Sequence, residues 1–130
     1  MGKFENIFIV DDDKVYHFIL KKLLIKNNVI VNSSFYFNGL EAIEEIKDKI
    51  RLGANLPDLI LLDINMPIMD GWQFLDEFKK VNDNVNIKPT IYLISSSDSI
   101  SDVSKAKEYD EQIKDYIFKP MTSDELLKIF

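Results

Sequence analysis

The chain has 130 residues, 46% of them hydrophobic and 29% charged, the balance of a globular domain rather than of a disordered or low-complexity segment. Its 22 acids outweigh 16 bases, among which Arg51 is the only arginine; this disfavours nucleic acid as a partner, because phosphate binding needs a basic surface and base reading favours arginine forks. No apolar run approaches the roughly 18 residues that cross a bilayer, the amino terminus carries no apolar leader and cysteine is absent, so a single domain over residues 1–130, cytoplasmic and without membrane insertion, is expected.

Ile7-Phe8-Ile9-Val10 is apolar at successive positions, the pattern of a strand buried on both faces of a parallel sheet, and it ends in Asp11-Asp12-Asp13. A helical stripe of Tyr16, Ile19, Leu20, Leu23 and Leu24 follows. Asp13 is expected to cap that helix rather than act with its acidic neighbours. His17 falls off the stripe and is expected to be solvated. Val15 and Phe18 also fall off it, and exposed apolar side chains beside an acidic strand end suggest a docking face. A weaker strand candidate covers about Ile30 to Tyr36, and Asn38-Gly39 turns into a helix with Ile43, Ile46 and Ile50 on one face.

Pro57-Asp58 leads into the run Leu59-Ile60-Leu61-Leu62, which ends in Asp63. Asp70-Gly71 reads as the turn into a third helix bearing Phe74, Leu75, Phe78 and Val81, with Trp72 packed near its start. Ile91-Tyr92-Leu93-Ile94 ends in Ser95-Ser96-Ser97, and a weak helix follows around Val103 and Ala106. Tyr116-Ile117-Phe118 ends in Lys119-Pro120. Thr122 with Glu125 has the spacing of a capping box before a last helix whose apolar face is expected from Leu126, Leu127 and Phe130. Strand and helix alternating in this way predict a doubly wound (βα)5 sandwich with right-handed crossovers.

In such sheets ligands bind outside the carboxyl ends of the strands, and here every strong strand ends in a carboxylate, a hydroxyl or an ammonium. Carboxylates about 4 Å apart repel by roughly 4 kcal/mol per pair at an effective dielectric of 20, so the cluster calls for a cation. An all-oxygen donor set favours Mg²⁺, which keeps waters and is completed by phosphate oxygens. A carboxylate beside the metal and faced by a lysine and a hydroxyl is suited to accept a phosphoryl group.

Val10-Asp11-Asp12, Leu61-Leu62-Asp63-Ile64-Asn65-Met66-Pro67-Ile68-Met69-Asp70-Gly71, Ser95-Ser96 and Phe118-Lys119-Pro120 together resemble the response-regulator receiver domain of two-component signalling, over nearly the whole chain. The resemblance implies a flavodoxin-like fold with strand order 2-1-3-4-5. It assigns Asp63 as the phosphoacceptor, and Asp11, Asp12, Asp63 and the Asn65 carbonyl as the site of Mg²⁺ or Mn²⁺. Ser95 would be the switch hydroxyl with small Ser96 beside it, Lys119 the phosphoryl partner ahead of a cis proline, and Tyr116 the aromatic that changes rotamer on activation. Asn65 and Ser97 would tune phosphoryl lifetime, and Val15 and Phe18 would lie on the helix that meets the phosphohistidine-bearing bundle. The implied partner is a sensor histidine kinase or histidine phosphotransfer protein, with self-phosphorylation and self-dephosphorylation but no turnover of external substrates. A phosphorelay shuttle is a variant of that reading. A haloacid-dehalogenase-like phosphatase is a rival, since Asp11-x-Asp13 fits its nucleophile motif, but it leaves Asp63 and Asn65-Met66-Pro67 unexplained.

Overall fold

A computed structural model describes residues 3–96 and 100–130. The elements run β1 (Asn6–Val10), α1 (Lys14–Lys26), β2 (Asn32–Tyr36), α2 (Gly39–Leu52), β3 (Leu59–Leu62), α3 (Gly71–Val85), β4 (Thr90–Ser95), α4 (Ile100–Ala106), a 3₁₀ turn (Lys107–Tyr109), β5 (Asp115–Phe118) and α5 (Ser123–Ile129). The five strands form one parallel sheet in the order β2-β1-β3-β4-β5. This is the doubly wound α/β sandwich expected from the alternation of strand and helix, with the flavodoxin-like strand order that the resemblance implies.

The sheet separates two apolar layers. Ile7, Ile9, Leu59, Leu61 and Ile94 pack against Tyr16, Leu20 and Leu24 of α1 and Leu126 and Ile129 of α5. On the other face Phe8, Val10, Ile60, Leu62 and Leu93 meet Ala42, Ile43 and Ile46 of α2, Phe74, Leu75 and Phe78 of α3, and Ala106 of α4. The central strands are thus buried on both faces, as their unbroken apolar runs require. β5 is not. It lies at the sheet edge, where Phe118 remains 47% exposed.

Helix starts follow the local chemistry. The Asp13 carboxylate accepts the N–H groups of Val15 and Tyr16, Asn38 accepts that of Glu41, and Asp70 and Thr122 form capping boxes with Gln73 and Glu125. Trp72 is buried at the start of α3 and stacks on Tyr109.

Four expectations are corrected. His17 is buried, its ring set between those of Phe35 and Phe37 at centroid distances of 5.0 and 5.1 Å; the end of β2 and the residue after it offer α1 an aromatic wall that the weak β2 pattern did not announce. Ile19 of the predicted stripe is exposed instead. In α5 the buried partner of Leu126 is Ile129, three residues on, while Leu127 faces solvent. β2 itself begins at Asn32 rather than near Ile30, which is exposed.

Candidate phosphoacceptor site

Parallel register carries the strand ends to one place. Val10 pairs with Leu62, so the next residues, Asp11 and Asp63, emerge side by side, and the ladder continues into them: Asp63 N–H donates to the Val10 carbonyl at 2.8 Å and Asp11 N–H to that of Tyr36 at 2.9 Å. On the far side Ser95 pairs with Phe118, and Lys119 N–H donates to the Ser95 carbonyl at 2.9 Å. The Lys119–Pro120 peptide is cis. The carboxyl ends of β1, β3, β4 and β5 therefore lie side by side at one edge of the sheet, where ligands of this fold class sit.

Asp11, Asp12 and Asp63 each offer a carboxylate oxygen, all within 4.8 Å of one another. Asp11 and Asp63 are buried while Asp12 is exposed. The Asp11 carboxylate accepts the Asp13 N–H at 2.9 Å through Oδ1 and the Lys119 ammonium at 2.6 Å through Oδ2. Asp63 Oδ1 accepts the Ile64 N–H at 2.9 Å, and its Oδ2 lies 3.7 Å from Lys119 Nζ. Burial, then repulsion from Asp11, raises the Asp63 pKa from 3.8 to about 7, against the pull of Lys119. Three hard oxygen donors at this spacing, one of them resisting ionisation through burial and the charge of Asp11, fit a divalent cation.

The loop after β3 is held from beneath. Gly71 N–H donates to the Ile64 carbonyl at 2.8 Å, and a Cβ on Gly71 would come within 2.5 Å of the Asp63 carbonyl oxygen and 2.9 Å of Ile64 Cα. Between them Met69 N–H closes a three-residue turn on the Pro67 carbonyl at 2.7 Å, with Ile68 at φ 68°. A β-branched residue in that region is strained.

Of the residues singled out in the sequence, Asp11, Asp12, Asp63 and Lys119 come together. Ser95 is buried at the end of β4; Ser96 beside it and Asn65 are exposed. Tyr116 is half-buried, packed against the α2–α3 core layer with its ring 5.2 Å from that of Phe118. Ser97 lies outside the described residues. Val15 and Phe18 of α1 are exposed at 65% and 58%, with Lys22 over the Phe18 ring. Asp13 is engaged as the α1 cap and takes no place among the clustered acids. One neighbour was missed as part of the site: Tyr16, assigned to the core stripe, also lies under Lys119. Its signal was its position in the first turn of the helix that Asp13 caps.

Comparison with known proteins agrees with this geometry. The response regulator receiver domain family matches residues 7–130. Chemotaxis protein CheY of Bacillus subtilis is 33% identical over 123 residues, covering 95% of this chain and 92% of that protein. The sensor histidine kinase CheAY of Helicobacter pylori is 28% identical over 95% of this chain, which spans only 14% of the kinase's length. The crystal structure of a two-component response regulator from Cytophaga hutchinsonii superposes with a TM-score of 0.85 at 27% identity, covering 98% of this chain and 95% of that one. The chain belongs to the response regulator receiver domain family, whose members are in general phosphoacceptor signalling domains.

Proposed function

We propose that this receiver domain, acting as one unit over residues 1–130, accepts a phosphoryl group on Asp63 from a phosphohistidine of a sensor kinase or histidine phosphotransfer protein. The observation that carries the reading is the position of Asp63: buried, beside two further acids within 4.8 Å and facing Lys119 at 3.7 Å.

In the proposed step an Asp63 oxygen forms the new O–P bond as the donor's P–N bond breaks, and the imidazole nitrogen keeps the electron pair. Asp11, Asp12, Asp63 and the Asn65 carbonyl would hold Mg²⁺ or Mn²⁺, which when bound neutralises charge on the phosphoryl oxygens. Lys119 pairs with a phosphoryl oxygen, and Ser95, with room left by Ser96, donates to another. Asn65 and Ser97, by helping or hindering a hydrolytic water, would tune how long the acyl phosphate lasts. Val15 and Phe18 form the apolar patch that meets the donor. Withdrawal of Ser95 toward the phosphoryl group lets Tyr116 turn inward and alters the α4-β5-α5 surface, or else the group is passed on in a relay. The site then turns over no external substrate, and a cytoplasmic setting suits a kinase donor; no described helix is long and apolar enough to cross a membrane.

The phosphatase reading through Asp11 and Asp13 is disfavoured because Asp13 already caps α1 through two backbone N–H groups. Acetyl phosphate with Mg²⁺ should add one phosphate to the intact protein and none to Asp63→Ala. Equal uptake by Asp63→Ala, or steady phosphate release from phosphomonoesters, would overturn the assignment.

A further inference from the structure

Among the described residues the Lys119 ammonium contacts two carboxylates and one aromatic ring. The carboxylates are the acids already described, Asp11 at 2.6 Å and Asp63 at 3.7 Å. The third is the face of the Tyr16 ring, whose centroid lies 4.4 Å from Nζ, within the range of a cation–π contact. Tyr16 is 8% exposed, and its hydroxyl is buried with no hydrogen-bond partner among the described residues. An orphaned buried hydroxyl opposes folding, so the phenol is not held there by its oxygen. As a core residue alone Tyr16 would be better as phenylalanine or leucine.

The ring has a further use once the charges around Lys119 change. A cation shared by Asp11, Asp12 and Asp63 weakens the hold of Asp11 on the lysine, and a long, flexible ammonium side chain then gains rotamer freedom by moving out to water. An aromatic face is the one neighbour whose attraction for the ammonium is left unaltered by metal on the carboxylates. We infer that Tyr16 is a positioning residue: its ring seats the Lys119 ammonium beside Asp63, so that the lysine stays aimed at the incoming phosphoryl oxygens after Asp11 is taken up by the metal. The inference rests on Asp63 as acceptor for its consequence, but not for the contact itself. Burial and the charges of Asp11 and Asp63 also hold the Tyr16 phenol protonated, which keeps its ring a neutral face.

Two readouts test it. The first is the NMR position of the Lys119 ε-methylene protons, which a ring face at this distance moves upfield of ordinary lysine; the shift should be present in wild type and Tyr16→Phe and gone in Tyr16→Leu. The second is the rate of phosphorylation by acetyl phosphate at saturating Mg²⁺. Tyr16→Phe should stay within about twofold of wild type, while Tyr16→Leu and Tyr16→Met, both of which fill core space without a ring, should fall about fivefold, the scale of a partly desolvated cation–π contact. Circular dichroism selects whichever of the two aliphatic variants is folded. An ordinary lysine shift in wild type, an aliphatic variant that is folded and fully active, or a Tyr16→Phe loss as large as that of Tyr16→Leu would each overturn the inference. If wild type takes up no phosphate, the acceptor reading fails while the ring shift still decides where Lys119 is seated.

Discussion

Asp63 is buried among like charges, and its metal-free protein should show this as a pH effect. Its pKa is raised by burial and by Asp11 to about 7, so the folded state holds a proton that the unfolded chain has already released above its ordinary carboxylate value. The linked stability is fully present below about pH 4 and is lost as pH rises through about 7. Metal-free Asp63→Asn should match wild type near pH 4 and exceed it at pH 8 by on the order of 2–4 kcal/mol; saturating Mg²⁺ should shrink the gap by giving the carboxylate a cation. Denaturant melts showing the same difference at both pH values would exclude this balance of charges. Lys119 cannot relieve both acids alone, since it lies closer to Asp11 than to Asp63.

At the scale of elements, the junction between the β3 loop and α3 packs directly against the Asp63 and Ile64 backbone. Gly71→Ala would place a methyl against the Asp63 and Ile64 backbone, and such overpacking costs about 1–3 kcal/mol. The expected result is lower stability together with slower phosphorylation. Gly53, at φ 67° with nothing near its Cβ position, is the control: Gly53→Ala should cost about 1 kcal/mol through left-handed strain and leave the rate unchanged. Equal rates in the two variants would show that the junction does not aim the acceptor. The same elements show what the residues disclosed. β1, β3 and β4 were legible because a doubly covered strand must be apolar at every position, and their terminal Asp11, Asp63 and Ser95 were placed with them. β2 was faint because it is an edge strand whose side chains are only half-buried, and that faintness hid the Phe35 and Phe37 wall that buries His17. The seat of Lys119 on Tyr16 was hidden because helical period separates buried from exposed faces and does not tell what lies above the first turn.

For the whole molecule, the proposed switch requires that phosphate favour one of two arrangements differing far from Asp63. Driving such an equilibrium from 1:99 to 99:1 takes about 5.5 kcal/mol of preference, supplied by the phosphoryl oxygens drawing on Ser95 and Lys119. Beryllofluoride with Mg²⁺, which mimics the phosphoryl group, should therefore move the amide resonances of Val103, Tyr116 and Leu126 as well as those of Asp11, Asp12 and Asp63. Ser95→Ala should blunt the distant shifts and keep the local ones. Shifts confined to the cleft in wild type would leave a carrier that relays phosphate without changing its α4-β5-α5 face.

The central claim is chemical and local: one carboxylate, Asp63, carries the phosphoryl group. Borohydride reduces an aspartyl phosphate to homoserine, so reducing the protein after acetyl phosphate and Mg²⁺ and sequencing its peptides reads the modified position directly. Homoserine at position 63 is the predicted result; homoserine at Asp11, Asp12 or Asp13, or none at all while phosphate is retained, would contradict the account.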